Sequence, residues 1–149
     1  MATNAGDRVV IRTSRGEVEV DARDVIHFPE GLIGFETYTD FVIFDLKDCQ
    51  PFKSMLSVRE GGPDFVVLDP LEIFEDYAPY VAGVPVEQPE LGSPYDLVLL
   101  SIVTLAERPE EITVNLRGPI FLNRQTHHAK QVVLSDDRCR TKMPLLVHS

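Results

Sequence analysis

Between Arg59 and Arg108 the chain has no lysine or arginine, while ten aspartates and glutamates fall in residues 60–107. Tryptophan is absent, cysteine occurs only twice, and the longest apolar segment, residues 97–103, is interrupted by Ser101. Each shortage excludes something. A transmembrane helix needs about 20 consecutive apolar residues, so no membrane association is expected. Residues 1–7 lack a basic stretch leading into an apolar one, so no secretory leader is expected and the protein reads as cytoplasmic. Cys49 and Cys139 are isolated, without a CxxC spacing or a nearby histidine, which predicts two reduced thiols and neither a disulfide framework nor a zinc site. Long stretches without cations disfavour nucleic acid as a direct ligand, because that affinity comes from Lys and Arg neutralising phosphates.

The charge that is present is lopsided. Residues 1–111 carry 8 basic and 22 acidic groups, and residues 112–149 carry 6 basic and 2 acidic, within a net charge of −10. The unopposed acids of residues 60–107 repel phosphate and attract cationic protein surfaces, so a basic protein partner is expected. Arg117, Arg124, Lys130, Arg138, Arg140 and Lys142 read as solvated strand faces.

The chain has 149 residues, 44% of them hydrophobic, which suits one domain, residues 1–149, burying roughly 70% of its unfolded surface. Apolar residues cluster in short runs at 9–11, 18–20, 41–44, 55–58, 65–68, 97–105, 112–116, 120–122, 132–134 and 145–147, each bounded by Gly, Pro, Asp or Asn. About ten short strands with one or two short helices predict an all-β, antiparallel fold that hides its edges by closing into a barrel or curling into a sandwich. The clearest helix start is Asp69-Pro70-Leu71-Glu72, with Asp at the N-cap, Pro at N1 and Glu at N3; about two turns are expected, ending near Tyr77. Residues 80–94, with prolines at 85, 89 and 94, are expected to form a long irregular surface connection.

Catalytic patterns are missing: there is no GxSxG, P-loop, GxGxxG or HExxH, and no carboxylate sits alone in an apolar run. His127 and His128 are adjacent, and neighbours on a strand face opposite sides, so the two cannot share a metal ion without a kink. His27 reads as a half-buried strand residue. No cofactor, metal or enzymatic activity is expected.

Two segments carry more information. Phe28-Pro29-Glu30-Gly31-Leu32-Ile33-Gly34-Phe35-Glu36 places two aliphatic residues between glycines, which permits a tight loop that presents apolar side chains or anchors them in the core. Thr113-Val114-Asn115-Leu116-Arg117-Gly118-Pro119-Ile120-Phe121-Leu122-Asn123 reads as strand, break and strand, with Asn115 and Asn123 placed to satisfy backbone groups.

These segments, with Gly16-Glu17-Val18-Glu19-Val20, Pro51-Phe52, Met55-Leu56-Ser57, Phe65-Val66-Val67, Asp69-Pro70, Tyr77, Ile102-Val103-Thr104 and Gln131-Val132-Val133-Leu134, resemble the FliW flagellar assembly factor family over nearly the whole chain. The chain departs from the family's pattern at Ala129 and Lys130, and again at Cys139 and Lys142. The resemblance implies a non-enzymatic, all-β, barrel-like fold, a partly open antiparallel β-barrel, with two protein partners: CsrA, a small dimeric RNA-binding repressor, and flagellin. It implies that flagellin export frees the protein to antagonise CsrA, so that flagellin translation resumes. The partner-binding candidates are Phe28, Glu30, Leu32, Ile33 and Phe35 in the glycine loop, and Asp64, Glu72, Glu75 and Asp76 in the acidic run. A small-molecule-binding barrel is the alternative reading, and it requires an interior cavity.

Overall fold

Several runs that read as continuously apolar are strands buried on both faces, and the alternation of side chains sends neighbouring residues into different cores. The computed structural model describes residues 8–13 and 16–145. The N-terminal segment 1–7, and residues 146–147 of the expected last strand, lie outside that range. Strands β1 (Arg8–Thr13) and β2 (Gly16–Asp21) form a separate antiparallel hairpin. The remaining strands are β3 (Ile26–His27), β4 (Asp40–Asp45), β5 (Lys53–Ser57), β6 (Asp64–Leu68), β7 (Leu97–Thr104), β8 (Thr113–Val114), β9 (Ile120–Asn123), β10 (Ala129–Gln131) and β11 (Met143–Pro144). They make one antiparallel sheet in the order β10-β9-β7-β6-β5-β4-β3, with β8 branching from β7 and β11 from β8. The two ends meet where His27 bridges His128 and the His27 N–H donates to the His127 carbonyl at 2.8 Å, so the barrel is nearly closed.

The interior holds Phe28, Leu32, Phe41, Met55, Val67, Leu100 and Ile120. Their neighbours point outward: Val42 and Leu56 pack under the β1–β2 hairpin with Ile11 and Val20, while Leu68 and Leu99 pack under a helical cover. A strand such as β5 is thus buried along almost its whole length because one face meets the barrel core and the other meets the hairpin.

The helical cover corrects two expectations. Asp69 does cap a helix, its Oδ1 accepting from the Leu71 N–H at 2.9 Å, but α1 (Pro70–Ile73) lasts one turn. Glu72 makes no reciprocal bond among the described residues, and Phe74 adopts an extended conformation that turns its ring into the core. Residues 80–94 are not irregular. A 3-10 turn (Glu75–Tyr77), α2 (Ala78–Val81), α3 (Val84–Glu87) and 3-10 turns at Pro89–Leu91 and Pro94–Asp96 run in succession, four of the five with a proline in their first positions. Proline there lacks only an N–H that a helix start leaves unpaired, so these prolines begin turns rather than prevent them. Val81, Val84 and Leu91 bury themselves against Leu99 and Phe121.

Residues 132–134 are extended rather than a strand of the sheet; Val132 and Leu134 donate to the carbonyls of Pro119 and Arg117. Cys49 is exposed and Cys139 buried, and both are free thiols. Among the described residues no helix is long and apolar enough to cross a membrane.

Candidate functional site

The glycine loop is held by its own backbone. Gly31 sits at φ 69°, and a Cβ there would lie 2.5 Å from the Glu36 Cα, so residue 31 has no room for a side chain. Gly34 is at φ 88° in open space. Between them Phe35 N–H donates to the Leu32 carbonyl at 2.8 Å, and the Glu36 carboxylate accepts the Gly34 N–H at 3.0 Å. That amide holds the Glu36 carboxyl below its usual range.

This geometry divides the five loop candidates. Phe28 and Leu32 are each only 1% exposed and belong to the barrel interior, Phe28 edge-on to Phe41, so neither offers a partner surface. Turning both inward is the way the loop anchors itself. Ile33 is 55% exposed and Phe35 is 41% exposed, and Glu30 stands at the surface 3.5 Å from Lys130 Nζ.

The second informative segment meets this loop. Gln131, on β10, accepts the Ile33 N–H at Oε1 (3.0 Å) across 98 residues of sequence and donates from Nε2 to the Gly118 carbonyl (2.9 Å). Asn115 Oδ1 accepts the Arg117 and Gly118 N–H groups, and Asn123 Oδ1 accepts those of Gln125 and Thr126, the backbone service expected of both amides. A shallow groove of about 310 Å³ results, walled by Ile33, Phe35, Phe65, Ile102 and Val133, with Arg117 at its rim. Sequence reasoning did not single out Gln131 as a site residue; its signals were its place in the family-like stretch 131–134 and a lone amide ahead of an apolar run.

The acidic candidates lie elsewhere. A groove of about 460 Å³ has a floor of Ile73, Phe74, Tyr77, Leu116 and Met143, and Glu72, Glu75 and Asp76 line it. None of these three carboxylates has a cation within ion-pair distance among the described residues. Arg138 also lines the groove, but its guanidinium is held by Asp136 at 2.8 and 3.0 Å and leans over the Tyr80 ring. That pairing pulls the Asp136 carboxyl down to about 2. On the floor, Tyr77 OH donates to the Leu116 carbonyl at 2.5 Å, and burial pushes its phenol above the usual range. Burial likewise raises the neighbouring Cys139 thiol. Asp64, at the far end of β6, does not line this groove.

The acidic run is also less unopposed in space than in sequence. Glu90 pairs with Lys130 at 2.6 Å, Glu60 lies 3.8 Å from Arg12, and Asp69 is the helix cap. Residues 72–76 bring three of the remaining carboxylates into one groove, and among the C-terminal cations Arg117, Lys130 and Arg138 are each paired with a carboxylate.

Comparison with known proteins gives a consistent picture. The family model described as FliW protein matches residues 9–145. The flagellar assembly factor FliW of Geobacter sulfurreducens is 38% identical over 135 residues, 91% of this chain and 84% of that protein. The protein of the same name from Bacillus licheniformis is 36% identical over 138 residues, 92% of this chain and 96% of that one. A crystal structure of the flagellar assembly factor FliW superposes with a TM-score of 0.80 at 27% identity, covering 96% of this chain and 99% of the other.

Proposed function

This chain belongs to the FliW family, and on that premise we propose that it is a flagellar assembly factor acting by protein binding rather than catalysis. In this reading it works in the cytoplasm, binds flagellin and antagonises the translational regulator CsrA, so that export of flagellin frees it to relieve CsrA repression. The observation that carries the reading is the groove of residues 72–76, where three carboxylates without a cation partner among the described residues flank an apolar floor. A basic RNA-binding protein is drawn to such a surface, and the same field weakens RNA binding nearby without occupying the RNA site. Ile33 and Phe35 supply a second, apolar surface for protein contact. Direct nucleic-acid binding is disfavoured by the pairing of Arg117, Lys130 and Arg138 with carboxylates. The small-molecule alternative needs room inside the barrel, and that space is filled by Phe28, Phe41, Met55, Leu100 and Ile120.

The test replaces Glu75 and Asp76 together by Lys, leaving the Asp69 cap intact. Association with CsrA, followed by surface plasmon resonance at low salt, is expected to slow about tenfold or more, and inhibition of RNA binding is expected to weaken. Circular dichroism is expected to be unchanged. If the double variant binds CsrA and displaces RNA as well as the parent, the acidic groove is only a solubilising surface and the electrostatic reading fails.

A further inference from the structure

The three described histidines gather at the seam where the barrel closes. His127, at φ 60°, makes the turn into β10 and gives its carbonyl to the His27 N–H. The left-handed turn at His127 breaks the alternation between the two neighbours, and His127 lines a groove under the hairpin with Arg8, Glu19, Asp21, Asp24 and Arg124. His128 instead faces His27 across the seam: their ring centroids are 5.7 Å apart with the planes tilted by 57°. His27 Nδ1 lies 2.6 Å from Asp40 Oδ1, its cross-strand partner on β4.

We propose that His27 and His128 form a binding site for a borderline divalent transition-metal ion, of which zinc is the probe, and that the ion clamps β3 to the entry of β10. Two imidazoles on one tetrahedral ion, with metal–nitrogen bonds of about 2.1 Å, place their centroids roughly 5 to 5.5 Å apart. The observed separation of 5.7 Å is close to that range. Asp40 supplies the outer contact that metal-binding histidines characteristically have: its carboxylate accepts a hydrogen bond from Nδ1–H of His27, the tautomer that leaves the Nε2 lone pair for a metal. His27 has close to half of its side chain exposed and His128 is exposed, so the ion and its waters have access. Among the described residues no three His, Cys, Asp or Glu side chains converge on one point, so the protein gives two ligands and water completes the shell. Two imidazole donors select zinc, copper or nickel over magnesium, which prefers oxygen. Glu30 and Glu90, which share the pocket beside His128, are engaged by Lys130 and add negative potential without occupying the site.

Zinc chloride is titrated into the full chain by calorimetry, with thermal melts alongside. One ion per chain is expected, with a rise in the melting midpoint that increases with zinc and is absent with magnesium. His128→Gln and His27→Ala are each expected to weaken binding at least tenfold and to abolish the rise. Asp40→Ala keeps both ligands and acts only through His27, so it is expected to weaken binding by roughly 10-fold to 100-fold. His148→Ala, outside the described residues, is the control and is expected to bind as the parent does. His128 is exposed, so His128→Gln keeps the test valid if His27→Ala perturbs folding. Parent-like affinity in His128→Gln, loss of binding in His148→Ala, or an equal response to magnesium would each mean an adventitious ion only, and the proposal would fall.

Discussion

The two grooves on this molecule are built from opposite materials. The one beside the glycine loop is apolar, and its shape is fixed by hydrogen bonds between residues far apart in sequence, Ile33 to Gln131 and Gln131 to Gly118. The one beside α1 and α2 comes largely from residues 72–80, which reach it through single helical turns, and its distinguishing feature is charge. A surface defined by fixed shape is indifferent to salt and pH and is damaged by changes to the frame beneath it. A surface defined by exposed charge tolerates changes to the frame, and its effect is screened within about 8 Å at physiological ionic strength. The contrast gives each groove its own signature under perturbation.

The largest effect separates neighbours within the loop. Leu32→Ala removes a side chain from the barrel interior and is expected to cost about 3 kcal/mol, because the surrounding strands cannot close the cavity. Ile33→Ala, one residue on and 55% exposed, is expected to change stability by no more than about 0.5 kcal/mol. Urea denaturation of the two variants checks this. A large cost at Ile33 would mean that the apolar groove belongs to the core and offers no surface.

A smaller effect tests whether the loop backbone is the frame. Gly31→Ala is expected to cost about 2 kcal/mol or more, since the new methyl meets the Glu36 backbone at a left-handed φ; Gly34→Ala has the same conformational penalty without the clash and is expected to cost about 1 kcal/mol. Equal costs in thermal melts would remove the close approach to Glu36 from the account. Smaller again is Gln131→Ala, expected to cost about 1 kcal/mol by leaving the Ile33 N–H and the Gly118 carbonyl without their partner. Amide exchange at Ile33 is expected to quicken in that variant while exchange in β5 stays slow. Uniform acceleration would show that Gln131 supports the whole barrel rather than the groove.

How far the sequence disclosed this arrangement depended on the range of the interactions involved. Strand runs, turn glycines, the Asp69 cap and the roles of Asn115 and Asn123 are set by neighbours within a few residues, and they were legible. The all-β, antiparallel class followed from the number of short strands, and the choice of barrel over sandwich came from the family resemblance. The burial of Phe28 and Leu32 was not legible, because an aliphatic residue between glycines looks the same whether it points in or out, and Phe41 and Ile120, which receive these side chains, lie far along the chain. The prolines of residues 80–94 misled for a related reason: each reads as a break, while the buried Val81, Val84 and Leu91 that order this region do so only against β7 and β9. Charge was read correctly in sign and too broadly in extent, since Lys130 and Arg12 come from elsewhere to neutralise part of the run. The histidine pairing shows the same limit. His127 and His128 are neighbours in sequence, yet the ring that faces His128 is that of His27.

The smallest expected effect belongs to the acidic groove and sharpens the contrast by its dependence on pH. Asp136 is held by Arg138 at the groove's edge, and that contact lowers its carboxyl from an ordinary 3.8 to about 2. A depressed folded-state value means that the pairing stabilises the fold above the unfolded value and is lost as protons are added. Its contribution is therefore present at neutral pH and disappears as pH falls from about 4 through about 2. Asp136→Asn keeps an oxygen for the Arg138 backbone N–H and removes the charge together with the acceptor of the Arg138 Nη2 bond. Parent and variant melts are expected to differ slightly at pH 7, with the parent higher, and to converge by pH 2; added salt is expected to narrow the gap at pH 7. The Gln131→Ala gap, resting on neutral hydrogen bonds, is expected to hold over the same range. Should the Asp136→Asn gap survive at pH 2 or resist salt, Asp136 acts through its turn geometry rather than its charge. The groove of residues 72–76 would then have to be reread as another surface of fixed shape.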